Sequence, residues 1–372
     1  MTKKSSILLS VLLFAAVQLA PAQPSSAKPT SELIQWHDAA SLPLFGKAVQ
    51  DTYSRYSRLP ASYESKSRKE LWNLGQNSAG LYLRFRTNSK NISLRWTSLQ
   101  NNWMNHMTPT AIKGLDLYAL EPEGWRFVRS ARPGKEACSE CKVIENMDGR
   151  EREYMLYLSL YDGVSSLYLG LDKSAVLLEP AIDSPRSAHP IVMYGTSILQ
   201  GGCCSRPGMA HTSIISRCLD VECVNLGFSG NALLDMEIAE LMAASPSPSA
   251  FVLDYVPNAS EEMIKEKGEA FFHILRAAHP EVPVVFVEDV DFPYLSYDTK
   301  AREIVYAKNK AQKELFRKLK ASGEKRIYYI GAEQISPSDG EGTVDGIHFT
   351  DYGMRHYAAA LSAVLKKCMR NQ

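Results

Sequence analysis

Beyond its first twenty or so residues this 372-residue chain has no long apolar run, and it has almost no surplus of charge. The 42 Lys and Arg balance 41 Asp and Glu, for a formal charge of +1. Such a chain lacks the electrostatic footprint of a nucleic-acid binder, so no nucleic-acid partner is expected. Cysteine is sparse and odd in number, with 7 in all. In an exported protein an odd set leaves at least one thiol free or paired with another chain. Cys138-Ser-Glu-Cys141 has the spacing of a local disulfide in a loop. No second Cys-x-x-Cys or His pair follows at ligand spacing, so no metal is expected. Cys203 and Cys204 are adjacent, and their redox state is not encoded in the sequence. Cys218 and Cys223 fall on a predicted helix face and in a predicted strand, where buried thiols are expected. There is no internal repeat.

The start of the chain has the layout of an export signal. Lys3 and Lys4 precede a mostly apolar stretch from Ile7 to Leu19, and Ala20-Pro21-Ala22 offers a small-x-small cleavage site. The stretch is too short for a membrane span. Residues 1–22 are therefore read as a signal peptide, and the mature chain as periplasmic or secreted, with no membrane span. Their loss removes two lysines and no acid, taking the formal charge from +1 to −1. What remains exceeds one typical domain.

Two patterns divide that remainder after a polar leader at 23–31. From 32 to 180 apolar residues recur at every second position in short runs, as in Gly80–Arg86, Ile92–Trp96, Leu115–Ala119, Tyr154–Leu160 and Ser166–Leu171. Period two at this spacing predicts an antiparallel β-sandwich of jelly-roll type. Pro185–Pro190 reads as a linker, and from 188 to 372 strands alternate with helices. Strands are expected near 190–194, 221–226, 250–255, 283–287 and 326–330. Helices are expected near 208–219, 233–243, 260–278, 298–321 and 351–368. In the last, Met354, Tyr357, Ala358, Leu361, Val364, Leu365 and Cys368 form an i, i+3/i+4 stripe that would pack on a sheet. The fold class is thus α/β, a parallel sheet between helices preceded by an all-β domain.

Parallel sheets bind ligands beyond the carboxyl ends of their strands. Ser197 stands just past the first such strand, in Gly195-Thr-Ser197, and Asp345-Gly-Ile-His348 precedes the last helix. A serine hydroxyl needs a base in hydrogen-bond contact to act as a nucleophile. Histidine, with an ordinary pKa near 6.5, fits that role, and a carboxylate fixes its tautomer. Three residues of spacing let one turn of chain bring Asp345 to His348. Donors for a tetrahedral oxyanion are offered by Gly230, after the second strand, and by Asn258, after the third. The elbow Gly-x-Ser-x-Gly of α/β-hydrolases is not met, because residue 199 is Leu.

This order of blocks resembles the SGNH hydrolases, or GDSL esterases. The resemblance implies Ser197 as nucleophile, His348 as base and Asp345 as its orienting carboxylate. It also implies an oxyanion hole built from the Ser197 and Gly230 N–H groups and the Asn258 amide, with no cofactor. The family's Asp before the serine is Thr196 here, and its Gly-x-Asn-Asp block reads Val256-Pro-Asn258-Ala259. Gly114-Leu-Asp116-Leu-Tyr118 resembles the Gly-x-Asp-Leu-Tyr signature of the β-domain that precedes some bacterial SGNH esterases, and Asn77–Gly80 and Met104–Met107 fit the same pairing. Together they imply an exported bacterial esterase acting on short-chain esters, O-acetyl above all, of small molecules or glycans. A phospholipid or acetylhydrolase-type lipase and a catalytically inert carbohydrate-binding protein are the rival readings. The oligomeric state is not legible.

Among the other histidines, His106 lies in a polar, aromatic-rich loop with Trp103 and is a candidate for the active-site rim. His189, His273, His279 and His356 read as structural or solvated. Asp254 and Glu288 end predicted strands, where structural hydrogen bonds are expected of them.

Overall fold

The alternation of short apolar runs in the first half, and of buried strands with amphipathic helices in the second, produces three sheets in the computed structural model, which describes residues 34–369. The signal-peptide reading of residues 1–22 lies outside the described residues. Two antiparallel sheets face each other in the first half. One has the order Ile34–Asp38, Val164–Asp172, Ile92–Ser98, Cys138–Ile144. The other runs Leu177–Leu178, Tyr82–Thr87, Arg152–Tyr157, Leu115–Glu121, Gly124–Ala131. Their inward side chains, among them Leu83, Phe85, Leu94, Trp96, Leu117 and Leu169, form one closed core.

Three readings of the sequence need correction. Cys138–Ile144 is an edge strand rather than a loop, paired with Ile92–Ser98 through Cys141 opposite Leu94. Residues three apart on a strand face opposite ways. Cys141 accordingly packs toward the core while Cys138 is exposed, and both thiols are free. The linker is shorter than expected, because the strand predicted at 190–194 runs from Arg186 to Gly195. Cys218 is exposed rather than buried, whereas Cys223 is buried as expected.

The second half is a parallel sheet in the order Val221–Gly227, Arg186–Gly195, Ala250–Asp254, Val284–Val287, Ile327–Ile330. Numbered along the chain, that order is 2-1-3-4-5, and its strand order reverses beside the first strand. The expected helices are found at His211–Leu219, Met236–Ala243, Glu261–Ala278, Thr299–Ala321 and Asp351–Met369. In the last, the predicted stripe is buried apart from Val364, which is half-buried. Among the described residues no helix is long and apolar enough to cross a membrane.

The two halves are joined by polar groups that the sandwich inserts into the α/β half. Asp116, fully buried, accepts hydrogen bonds from the Arg206 guanidinium and the Gly208 N–H, each at 2.8 Å, and from the Ser130 hydroxyl at 2.5 Å. Arg206 also donates to the Tyr118 hydroxyl at 2.7 Å. The Gly-x-Asp-Leu-Tyr signature is therefore a clamp on the loop that follows Ser197.

Glu222 makes a second link, accepting from the Gly46 N–H at 2.5 Å. Burial pushes its carboxyl up to about 7, against the pull of the Gly46 N–H and the Arg84 charge. Since the folded value exceeds the ordinary 4.5, the folded chain retains a proton that the unfolded chain has lost. Stability therefore falls as pH rises between these values. Glu222→Gln carries no such penalty. Its melting temperature relative to wild type should be more favourable at pH 8 than at pH 5; a difference independent of pH would contradict the assignment.

Candidate active site

Ser197 is set by the way the first parallel strand stops. The Thr196 hydroxyl caps the Ser197–Gln200 turn by accepting from the Ile198 N–H at 3.3 Å, and Gly201 closes it with φ +106. Gly202 N–H and the Tyr161 hydroxyl both donate to the Ser197 carbonyl, at 2.7 and 3.1 Å. The Ser197 backbone is thus fixed from both halves of the protein.

Asp345 and His348 occupy a turn that Asp345 itself ties. Its Oδ1 accepts from the N–H groups of Ile347 and His348 at 3.0 and 2.8 Å, and Gly346 between them takes φ +90. The other carboxylate oxygen, Oδ2, stands 2.8 Å from His348 Nδ1. His348 Nε2 lies 2.9 Å from Ser197 Oγ. With Nδ1–H donated to the carboxylate, Nε2 offers a lone pair to the serine hydroxyl. Desolvation raises the Asp345 carboxyl, but the His348 ring and the two backbone N–H groups outweigh it and hold the group below the ordinary carboxylate range. A residue larger than glycine at 202 would crowd this pair: its Cβ would stand 2.9 Å from His348 Cδ2 and 3.0 Å from the Tyr161 hydroxyl.

Gly230 and Asn258 line the same cavity of about 460 Å³ as Ser197 and His348. Gly230 has φ +67, a conformation open to glycine at no steric cost. Asn258 Oδ1 accepts from the Ala232 N–H at 3.2 Å, which leaves the Nδ2 end of the amide for the cavity. His106 stacks obliquely against His348 with ring centroids 5.6 Å apart, while its Nδ1 contacts Asn105 Oδ1 at 3.0 Å. The loop from the sandwich thus reaches the site. One ligand-type atom from each of His106, Cys203, Asp345 and His348 falls within 4.8 Å of the others, but Asp345 is hydrogen-bonded to His348 and His348 in turn to Ser197.

The remaining sequence candidates lie elsewhere. Asp254 Oδ2 accepts from the Tyr357 hydroxyl at 2.7 Å, and Glu288 accepts from the Tyr329 hydroxyl and the Ala332 N–H, so both are structural. His189 and His279 bond main-chain carbonyls, and His273 is a surface residue beside Glu269. Three participants had no sequence signal. Gln200 accepts from the Ser229 N–H and donates to the Leu160 carbonyl, which pins the loop bearing Gly230. Tyr161 belongs to the sandwich, and Gly202 matters for its N–H to the Ser197 carbonyl and for the space it leaves beside His348. His211, also unread in the sequence, is a fully buried neutral imidazole against the Tyr357 ring, lowered to about 3 by burial alone.

With that geometry described, comparison with known proteins is informative. Residues 188–366 match the GDSL-like lipase/acylhydrolase family, and residues 34–177 match the N-terminal domain of SGNH hydrolase-type esterases. A Bacteroides ovatus protein described as a GDSL-like lipase is 34% identical, with a TM-score of 0.86 over 91% of this chain and 98% of its own. The chain belongs to the GDSL-like lipase/acylhydrolase family and is a hydrolase of ester substrates. A salicylyl-acyltransferase from a tetracycline biosynthetic pathway shares the fold at 15% identity, with a TM-score of 0.72 over 89% of this chain and 97% of that one. So does a family two carbohydrate esterase from Clostridium thermocellum, at 12% identity and a TM-score of 0.57 over 78% and 92%. No curated protein matches this chain.

Proposed function

We propose that this protein is an exported serine esterase that removes short acyl groups, acetyl above all, from polysaccharide through a Ser197–His348–Asp345 triad. The observation that carries the reading is the unbroken line of contacts from Ser197 Oγ to His348 Nε2 and from His348 Nδ1 to Asp345, at 2.9 and 2.8 Å. Ser197 Oγ forms a bond to the ester carbonyl carbon as its proton passes to His348 Nε2. The oxyanion is met by the N–H groups of Ser197 and Gly230 and by Asn258 Nδ2. His348 then gives the proton to the departing alkoxide as the carbon–oxygen bond breaks. Water, deprotonated by the same imidazole, attacks the acyl-enzyme, and the acid leaves as the proton returns to Ser197. Asp345 keeps the imidazole in the tautomer this needs.

The shape of the cavity favours a short acyl group over a fatty chain. Phe292, Tyr294, Ile304 and Val305 give it apolar walls, but Asp289 and Lys308, paired at 3.0 Å and almost fully buried, also face it. A long hydrocarbon chain laid against that pair would leave ionic groups without water. The glycan assignment accords with a fold shared with a carbohydrate esterase. Export rests on the N-terminal sequence alone.

Nitrophenyl esters of increasing chain length, together with acetate release from acetylated polysaccharides, test the reading. The expected result is a kcat/KM that is highest for two to four carbons and falls at least tenfold by eight. A maximum at eight carbons or more would favour the lipase, and acyl transfer to an added alcohol in place of hydrolysis would make the protein a transferase.

A further inference from the structure

Beside the catalytic cavity lies a second groove of about 390 Å³ that the proposed chemistry does not use. Its walls come from both halves of the protein. Asn73, Asn77, Gln100, Asn102 and Asn231 bring five side-chain amides to it, and Glu70 a carboxylate. Trp103 stands at its edge with 75% of its surface exposed, unusual for a side chain that gains so much from burial.

Part of this wall is rigid and part is free. Asn102 Nδ2 donates to the Gln100 side-chain Oε1 at 2.9 Å and to the Tyr161 main-chain carbonyl at 2.8 Å. Asn231 is held at both ends, accepting from Arg68 at 2.6 Å and donating to the Ser229 carbonyl at 2.8 Å. The side chains of Glu70 and Asn73 have no protein partner among the described residues. Asn77 is 3% exposed and its Oδ1 is an acceptor without a donor.

The groove adjoins the site. Ser229 lines both cavities, and Tyr161, in the groove wall, donates its hydroxyl to the Ser197 carbonyl. The loop that carries Trp103 also carries His106, whose ring faces His348. The groove therefore lies beside the site, on the loop that brings His106 to the imidazole which, in the proposed mechanism, hands a proton to the departing alcohol.

We infer that this groove is a subsite for a neutral sugar ring on the alcohol side of the scissile ester. An aromatic face paired with amides and a carboxylate suits a sugar, whose ring presents C–H groups on its faces and hydroxyls around its edge. Among the described residues the lining contains no Lys or Arg, and Arg68 nearby is engaged by Asp235 and Asn231. A uronic acid would meet Glu70 with no cation to offset it, so acidic glycans are disfavoured. The inference rests on the triad reading for its link to catalysis, and its test separates the two.

Wild type, Trp103→Ala and Ser197→Ala are assayed on acetylated xylo-oligosaccharides, acetylated oligogalacturonides and nitrophenyl acetate. In Trp103→Ala the ratio of kcat/KM for the xylo-oligosaccharide to that for nitrophenyl acetate should fall at least tenfold, mainly through KM. An unchanged melting temperature would show that the variant is folded. Xylo-oligosaccharide should also quench or shift tryptophan fluorescence of Ser197→Ala, and adding Trp103→Ala should abolish that change. A ratio within twofold of wild type, or preference for the oligogalacturonide, overturns the subsite while leaving the triad intact. Hydrolysis of nitrophenyl acetate by Ser197→Ala overturns the triad, and with it the groove's assignment to the leaving alcohol.

Discussion

Ser197→Ala should lower kcat on a short-chain aryl ester by about 10⁵- to 10⁶-fold, and His348→Ala should do nearly the same. The double variant is no worse than either alone. In the proposed mechanism serine and imidazole perform one proton transfer together, so removing the second group from a site that has lost the first should remove nothing further. What survives is the catalysis supplied by the oxyanion donors and by binding, about 10³- to 10⁴-fold over water. Stability hardly enters, because among the described residues the Ser197 hydroxyl has one hydrogen-bond partner, His348, at a cavity wall. Steady-state kinetics with the melting temperature as control reads both effects. Losses that multiply in the double variant would mean that Ser197 and His348 act separately.

Arg58→Met destabilises the folded protein by about 3–5 kcal/mol. The Arg58 guanidinium is 1% exposed and has no carboxylate among its hydrogen-bond partners. It is satisfied instead by four carbonyls: Asn77 at 2.9 Å, Leu74 and Gly227 each at 2.7 Å, and Asn225 at 3.1 Å. Leu74 and Asn77 lie at the carboxyl end of the Lys69–Gly75 helix, where unpaired carbonyls carry partial negative charge. Burial lowers the group to about 9, so it stays charged at neutral pH. Methionine fills the space but leaves buried acceptors with no donor. Arg58→Lys keeps the charge, loses the fork and recovers less than half of the loss. The urea midpoint measures this. Because Gly227 leads directly into the loop bearing Gly230, kcat should fall as well under conditions where the variant is folded. An unfolding free energy within about 0.5 kcal/mol of wild type would refute this account of Arg58.

The α/β half was legible because its physics is local. Strands such as Ile191–Tyr194 are buried on both faces and read as unbroken apolar runs, while the Asp351–Met369 helix carries one apolar stripe. The edge strand Cys138–Ile144 was missed because it is largely exposed; with Ser, Glu and Lys in it, nothing sets it apart from a turn. Arg186 to His189 reads as linker for the same reason, and its strand character comes from pairing alone.

At the site, the meeting of Ser197 with His348 could be anticipated because both sit on the carboxyl edge of the sheet, in an order that a known family shares. Contacts contributed across the two halves could not. Tyr161, Arg58 and Asp116 reach the site or its loops from the sandwich side, and no spacing in the chain encodes which carbonyl a buried donor will find. His106 was legible only as a histidine in an aromatic loop; its ring facing His348 follows from how the halves are clamped together.

The central claim concerns one oxygen atom, and covalent trapping tests it directly. A nitrophenyl alkylphosphonate ester places a tetrahedral phosphorus where the ester carbon would be, and an activated serine displaces nitrophenolate from it. Intact-mass measurement followed by peptide mapping should find one phosphonyl group, on Ser197, with loss of activity in proportion. Labelling should be abolished in Ser197→Ala and at least a thousandfold slower in His348→Ala. An enzyme that hydrolyses esters yet carries the label elsewhere, or stays fully active without any label, would contradict the account.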